Sequence, residues 1–386
     1  MFHRSDSTHA RLNGPHWEKS KKVSLDQQNI LPHMKTYQIA VIPGDGIGPE
    51  VTREAIRVTE AALASTDSRC TWTEFPWGTD YYFAHGRMAP ADYLDQLAKF
   101  DAILLGAVGH PKVQDHITLN GLLLPIRRRF DQYVCLRPSY LYEGVESPLK
   151  NKPAGSIDLV VYRENTEGEY VNIGGRAYQD HPGEIAIQTS VFTRQGCERI
   201  IRAAFEGAMK RSRKKVSSIT KSNAQGYGMV LWDEIFSQVA RDYPQIETES
   251  LLIDRAAMEF IRRPESFDVV VASNLFGDIL TDIGAIVVGS MGLAASGNID
   301  PTKKSPSMFE PVHGSAPDIA GQGISNPLAA ILSAAMMLDH LGVSSAAAAM
   351  HRAVAELLKR GTPRPPDLGG SSTTEQVGNG IRALLK

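Results

Sequence analysis

Asp278 and Asp282 stand four residues apart in the stretch Val269-Val270-Val271-Ala272-Ser273-Asn274-Leu275-Phe276-Gly277-Asp278-Ile279-Leu280-Thr281-Asp282. It opens as an apolar β-branched run, the pattern of a buried strand. From Gly277 it reads as the start of a helix, which puts both carboxylates on one helical face about one turn apart. Two like charges that close repel unless a cation sits between them. A hard divalent ion, Mg²⁺ or Mn²⁺, takes carboxylate oxygens and keeps positions open for water or substrate. The plain alternative is a first helical turn whose acids favour the helix dipole.

Further residue types extend this chemistry. Arg127, Arg137 and Arg163 are candidates for a fork-like clamp on a dianionic carboxylate substrate. Arg163 ends a strand, where α/β proteins place site residues. Arg127 lies in a run of three arginines, and a solvated basic face is the competing reading. Lys221 follows a strand at 216–220 and is a candidate base. Lowering its pKa from about 10.4 to about 7–8 costs roughly 3–4 kcal/mol, which needs burial or a nearby cation. Otherwise it is an exposed lysine at the start of a loop. Residues 309–321, rich in Gly, Pro and small side chains, read as a loop whose backbone N–H groups could cradle a diphosphate.

The elements that must position these residues alternate. Strands read at 37–42 and 101–109, with a helix at 50–63 between them. The turn Gly44-Asp45-Gly46-Ile47-Gly48 has the spacing G-x-G-x-G, not the dinucleotide G-x-G-x-x-G. Tight packing of strand on helix therefore competes with a phosphate cradle. Further helices read at 195–213, from within 251–258 with Asp254 near the first turn, at 328–341 and at the C-terminus. The basic run 210–215 reads as a solvated helix end. A small-residue apolar segment at 285–295 precedes what reads as a polar turn, Ser296-Gly297-Asn298. Alternating strands and helices argue for an α/β fold.

Composition bounds the function. A net charge of −2 over 386 residues offers no basic footprint for nucleic acid. No apolar run approaches about 20 residues, so no membrane span is expected. Cys70, Cys135 and Cys197 are far apart and odd in number, which fits a reducing cytoplasm better than a disulfide framework. Residues 1–33 are polar, lack the apolar core of a secretory signal, and are expected to form a mobile N-terminal extension.

Five long motifs then occur in order: Gly44-Asp45-Gly46-Ile47-Gly48-Pro49-Glu50, Leu136-Arg137-Pro138, Arg163-Glu164-Asn165-Thr166-Glu167-Gly168, the 273–282 stretch, and Glu310-Pro311-Val312-His313-Gly314-Ser315-Ala316-Pro317-Asp318-Ile319-Ala320-Gly321. On these the chain, from 34 to 386, resembles the β-decarboxylating dehydrogenases, the family of isocitrate, 3-isopropylmalate, homoisocitrate and tartrate/D-malate dehydrogenases. The resemblance implies a two-lobed isopropylmalate-dehydrogenase-like α/β fold with a non-Rossmann nucleotide site and the active-site cleft between the lobes. Its large lobe would combine 34–132 with 289–386, and its small lobe would span 133–288.

By the same resemblance Asp278, Asp282 and Asp254 match metal aspartates, with Asp254 coming from the partner subunit of a homodimer. Arg127, Arg137 and Arg163 match the substrate-carboxylate arginines. Tyr170 matches the general acid, and Lys221, again from the partner, matches the base. Glu310, His313, Gly314, Ser315, Ala316 and Asn326 would line the cofactor. Asp318 and Ile319 occupy the positions that separate NAD from NADP users. A carboxylate at Asp318 accepts hydrogen bonds from ribose hydroxyls and repels a 2′-phosphate, so NAD is expected, with K⁺ left open as an accessory ion.

The resemblance also implies that substrate choice rests on Asn120, Leu123 and Leu124, just before Arg127. Phe130-Asp131-Gln132-Tyr133 and Thr281-Asp282-Ile283-Gly284 lean to the tartrate/D-malate group. The alternative is 3-isopropylmalate or another alkylmalate. A reading of a different class, a non-catalytic ligand-binding regulatory subunit, would show gaps at the acid, base or metal positions, and none is present.

Overall fold

The computed structural model describes residues 34–385, so the expected mobile extension at 1–33 lies outside the described residues. The first part of the chain runs β1 (Lys35–Gly44), α1 (Gly48–Leu63), β2 (Ser68–Glu74), α2 (Thr79–His85), α3 (Tyr93–Leu97) and β3 (Ala102–Ala107). Then come α4 (Asp115–Thr118), a π turn (Leu119–Leu123), α5 (Leu124–Arg129), β4 (Val134–Tyr140) and β5 (Asp158–Glu164). The middle holds a hairpin of β6 (Gly174–Ala177) and β7 (Ile185–Gln188), then α6 (Arg194–Met209), β8 (Lys215–Thr220), α7 (Gly228–Ala240), β9 (Glu247–Leu252) and α8 (Ile253–Arg262). The chain closes with β10 (Val269–Ala272), α9 (Asn274–Val287), β11 (Ala295–Ile299), β12 (Ser307–Pro311), α10 (Leu328–His340), α11 (Ser344–Arg360) and α12 (Thr374–Leu384).

Ten strands form one mixed sheet in the order β2-β1-β3-β12-β11-β4-β5-β10-β8-β9. The five strands from 34–132 and 289–386 lie on one side of the antiparallel β11–β4 pairing, and the five from 133–288 lie on the other. Alternation along buried strands feeds both faces. On β1, Ile39 joins one core and Ala40 and Ile42 join the other; on β3, Leu104 faces the first and Ile103 and Leu105 the second. Helix α10 is buried on nearly all sides, which its run of Leu, Ala, Ile and Met permits.

The sheet register gathers charge on one face. Arg163 pairs with Cys135, Cys135 with Asn298, and Ser296 with Glu310. Because side chains two apart point the same way, Arg137, Arg163, Asn298 and Glu310 share a face.

Several local readings are corrected. Ser296, Gly297 and Asn298 have turn chemistry, yet they lie within β11, fully buried. Their polar groups find partners that sequence spacing hides: Asn298 Nδ2 donates to Glu310 Oε1 at 2.8 Å, and Ser296 N–H donates to Ser333 Oγ at 3.3 Å. Residues 309–311, read as loop, complete β12. Helix α9 starts at Asn274, not Gly277, because the Ser273 hydroxyl caps it. The basic run is partly structural: α6 ends at Met209, and Arg211 then pairs with Asp268 and Asp158 while Arg213 donates to Phe267 O at 2.7 Å.

The glycine turn after β1 is a packing device, and the phosphate-cradle reading falls. Buried Asp45 fills it: Oδ1 accepts from the N–H and hydroxyl of Thr79 at 2.7 Å each, and Oδ2 accepts from Gly109 N–H at 2.8 Å. A carboxylate in that position repels phosphate. Gly46 has φ +58°, and a Cβ there would sit 2.0 Å from Ser315 O, where Ile47 N–H donates at 2.9 Å. Gly46→Ala is therefore expected to cost about 2–3 kcal/mol, from left-handed strain plus overpacking. The urea midpoint checks this; an unchanged midpoint would contradict it.

Candidate active site

One cavity of about 250 Å³ is lined by the charged and polar residues Arg127, Arg137, Arg163, Tyr170 and Asp278, and also by Glu310, His313 and Gly314. Leu105, Leu119, Leu123 and Leu124 supply apolar lining. Of the run of three arginines only Arg127 is buried, at 5% exposure, while Arg128 and Arg129 face out. Arg127 is therefore not part of a solvated basic face. Arg127 Nη2 donates to Glu310 Oε1 at 2.8 Å, the same oxygen that Asn298 engages.

Asp278 is the hub of the charged residues. Its Oδ1 accepts from Arg163 Nη1 at 2.5 Å and Arg137 Nη1 at 3.0 Å, and its Oδ2 accepts from the Tyr170 hydroxyl at 2.7 Å. Desolvation pushes the Asp278 carboxyl up, but Arg163 and Arg137 outweigh it and hold the group well below the usual carboxylate range. Three residues missed in the sequence fix the arginines. Thr281 accepts from Arg137 Nη1 at 2.7 Å, Asn274 Oδ1 accepts from Arg163 Nε and Nη2 at 3.0 and 2.7 Å, and Asn298 anchors Glu310. Gly277 lets α9 lie this close, since a Cβ there would meet Arg163 Cβ and Cγ at 2.7 Å. Thr281, four residues after Gly277 and one before Asp282, was within reach of helical periodicity; Asn298 was not.

Tyr170 is half-buried, its ring 5.2 Å from the Arg163 guanidinium. Burial, then the Asp278 carboxylate, pushes its hydroxyl up to about 12. The hydroxyl therefore keeps its proton at neutral pH. Its stabilising contribution is complete below the ordinary tyrosine value of about 10 and is lost only as pH rises through the folded value. A phenolate absorbance titration of wild type against Tyr170→Phe is expected to place the missing ionisation above about pH 10. An ionisation at or below that pH would contradict it.

Asp282 lies one turn beyond Asp278, exposed, with no hydrogen bond or ion pair among the described residues. Partial desolvation, then the Asp278 charge, raises its pKa. Lys221 and Asp254 are elsewhere. They follow β8 and β9, the last two strands of the sheet, and pair with each other at 2.5 Å. Lys221 holds the Asp254 carboxyl below its usual range. At about 4.8 Å per strand, β8 lies roughly 10 Å from β5 and its Arg163. Among the described residues no three His, Cys, Asp or Glu side chains gather as a metal cluster.

Asn120 does not line the cavity; it is exposed, and its amide donates back to His116 O at 2.8 Å. Leu119, unremarked in the sequence, takes its place through the π turn. Beyond the cavity, buried Ser315 meets the glycine turn and Ala316 is left-handed at φ 38°. Asp318 is exposed and Ile319 half-buried. Asn326 is buried, its Oδ1 accepting from Leu328 N–H at 3.0 Å and its amide donating to Asp367 Oδ2 at 3.0 Å. His313 Nε2 is buried with no partner, and burial lowers the pKa of the ring.

Residues 38–381 match the isocitrate/isopropylmalate dehydrogenase family. The chain is 50% identical over 359 residues to the D-malate dehydrogenase [decarboxylating] of Escherichia coli K12, which covers 91% of this chain and 99% of that one. It is 48% identical over 358 residues to the tartrate dehydrogenase/decarboxylase of Pseudomonas putida, covering 91% and 98%. The crystal structure of isocitrate dehydrogenase from Methylococcus capsulatus superposes with a TM-score of 0.82 at 34% identity, covering 90% of this chain and 99% of that one. With sequence, fold and the placement of the arginines in agreement, the chain is a member of the isocitrate/isopropylmalate dehydrogenase family.

Proposed function

We propose that this protein carries out NAD- and divalent-metal-dependent oxidative decarboxylation of a D-malate-type 2-hydroxy acid, D-malate or tartrate. The observation that carries the reading is the convergence of Arg127, Arg137, Arg163, Tyr170 and Asp278 on one cavity. Each arginine has five N–H donors in a fork, and Arg127 spends only Nη2 on Glu310, so donors remain for substrate carboxylates.

Mg²⁺ or Mn²⁺ fits the aspartates. A carboxylate offers about four lone-pair directions, and Asp278 uses three, while Asp282 is free among the described residues. The third carboxylate would be Asp254 of a second copy. NAD fits the loop after β12: the orphaned His313 Nε2 and the exposed Asp318 suit an adenosine with free ribose hydroxyls. When bound, the metal would supply charge stabilisation at C1 and C2, and NAD⁺ would accept the hydride.

The chain's own groups do the rest. Arg127, Arg137 and Arg163 orient the carboxylates. Lys221 of a second copy takes the proton of the C2 hydroxyl. CO₂ then departs from C3, and Tyr170 supplies the proton that C3 gains. The products are a 2-oxo acid, CO₂ and NADH.

The homodimer is part of this reading. Met258 and Ile261 on α8, Ile279 and Ile286 on α9, and Ile185 and Ile187 on β7 are large and exposed, a surface suited to a second copy. The cleft would lie between a lobe of 34–132 plus 289–386 and a lobe of 133–288, meeting at the β11–β4 pairing. Three free cysteines suit a reducing cytoplasm, and no described helix is long and apolar enough to cross a membrane.

The leucines that line the cavity favour a second reading, a 3-alkylmalate such as 3-isopropylmalate. NADH formation with Mn²⁺ and K⁺ separates the two. If D-malate or a tartrate leads 3-isopropylmalate and isocitrate about tenfold in kcat/KM, a difference of about 1.4 kcal/mol, the first reading stands. If isopropylmalate leads, the leucines govern the pocket and the first reading fails.

A further inference from the structure

The segment 163–170 carries three glutamates besides Arg163 and Tyr170, and each pins a different piece of structure. Glu164 turns back to accept from Thr166 N–H and Oγ1 and from Glu167 N–H. Glu167 accepts from the N–H and hydroxyl of Thr193, the cap of α6, at 2.9 and 2.8 Å. Glu169 reaches α9. Its Oε1 accepts from Ser273 Oγ at 2.8 Å, and its Oε2 accepts from Leu275 N–H at 3.1 Å.

A carboxylate suits this place, because the first N–H groups of a helix lack intrahelical partners and the dipole favours negative charge there. The consequence reaches further than a cap. Asp278 lies on the same helix, four residues beyond Asn274, its first residue. Tyr170 is the residue after Glu169, and its hydroxyl donates to Asp278 Oδ2 at 2.7 Å. A ring therefore closes from Glu169 through the first turn of α9 to Asp278, across to Tyr170, and back along the chain. Arg128 holds the outer side, Nη2 donating to Tyr170 O at 3.3 Å. Without Glu169, the segment would keep only the Asn274 amide, which donates to Glu167 O at 3.0 Å three residues before Tyr170, as its other tie to the start of α9.

We propose that Glu169 is a positioning residue that sets the Tyr170 hydroxyl against Asp278. This rests on the proposed role of Tyr170 as proton donor. Glu169→Gln keeps the shape but removes the negative charge at the start of α9 and makes the Ser273 hydroxyl accept where it donated. It is expected to lower kcat about tenfold or more, with KM for substrate and for NAD⁺ changed less than about threefold. In a Tyr170→Phe background the same substitution should cost less than about twofold, since residues acting as a unit are not additive.

A merely structural cap would instead cost the same in both backgrounds. That result, or full turnover in Glu169→Gln, overturns the proposal. Should Glu169→Gln fail to fold, Glu169→Asp, charged but one methylene short, carries the same comparison. If the wild type turns over no malate-type acid, the proposed function falls, and a 3-fluorotyrosine at position 170 decides for Glu169 separately. Its ¹⁹F resonance moves or broadens in Glu169→Gln if the proposal holds, and stays unchanged if it is wrong.

Discussion

Asp278→Asn is expected to abolish turnover and to destabilise the protein by about 2–3 kcal/mol at pH 7. Removing one partner of a buried ion pair typically costs about 3–5 kcal/mol, because the remaining charge is stranded. Here Arg163 and Arg137 would be stranded, at 1% and 7% exposure. Asp278 itself is about a third open to solvent, which reduces the penalty. Asparagine still accepts hydrogen bonds but cannot neutralise two guanidiniums or hold a hard cation. The pH dependence follows from the direction of the shift. Asp278 is held below the usual carboxylate range, so its contribution is present above the unfolded value of about 3.9 and is lost only as pH falls through the lower folded value. Urea midpoints for wild type and variant should run parallel from about pH 5 to 8 and converge only in strong acid. Equal midpoints at pH 7 would show that the arginines do not depend on Asp278.

Much of this site was legible in the chain because it is built on helical periodicity and strand ends. The four-residue spacing put Asp278 and Asp282 on α9, and strand-end position marked Arg163. What was not legible depends on residues far apart in sequence. Glu169 meets Ser273 across 104 positions, and Arg127 meets Glu310 across 183, so no local pattern announces either pair. Ser296-Gly297-Asn298 was misread because turn chemistry is a local prior, while burial between two antiparallel neighbours is a tertiary fact. Asn120 shows the reverse error. Its position relative to Arg127 suggested a pocket residue, but the π turn swings Leu119 into the cavity and leaves Asn120 on the surface.

Lys221→Met is expected to lower kcat by about a thousandfold or more, while NAD⁺ and Mn²⁺ still bind, because the base is lost and the carboxylates are kept. Near-wild-type turnover would remove Lys221 from the mechanism. The variant also bears on the geometry, since in its own chain Lys221 pairs with Asp254 and does not contact Asp278 or Tyr170. On the proposed reading, the working base comes from another copy.

Subunit mixing tests that claim most directly. Lys221→Met and Tyr170→Phe proteins, each nearly inactive, would be co-expressed with different tags and the hybrid isolated. In a hybrid dimer, one site combines the intact Tyr170 of one chain with the intact Lys221 of the other, and its second site carries both lesions. The account predicts that the purified hybrid recovers about half of the wild-type turnover per dimer. A hybrid no more active than its two parents would contradict it, and would place base and acid within a single chain.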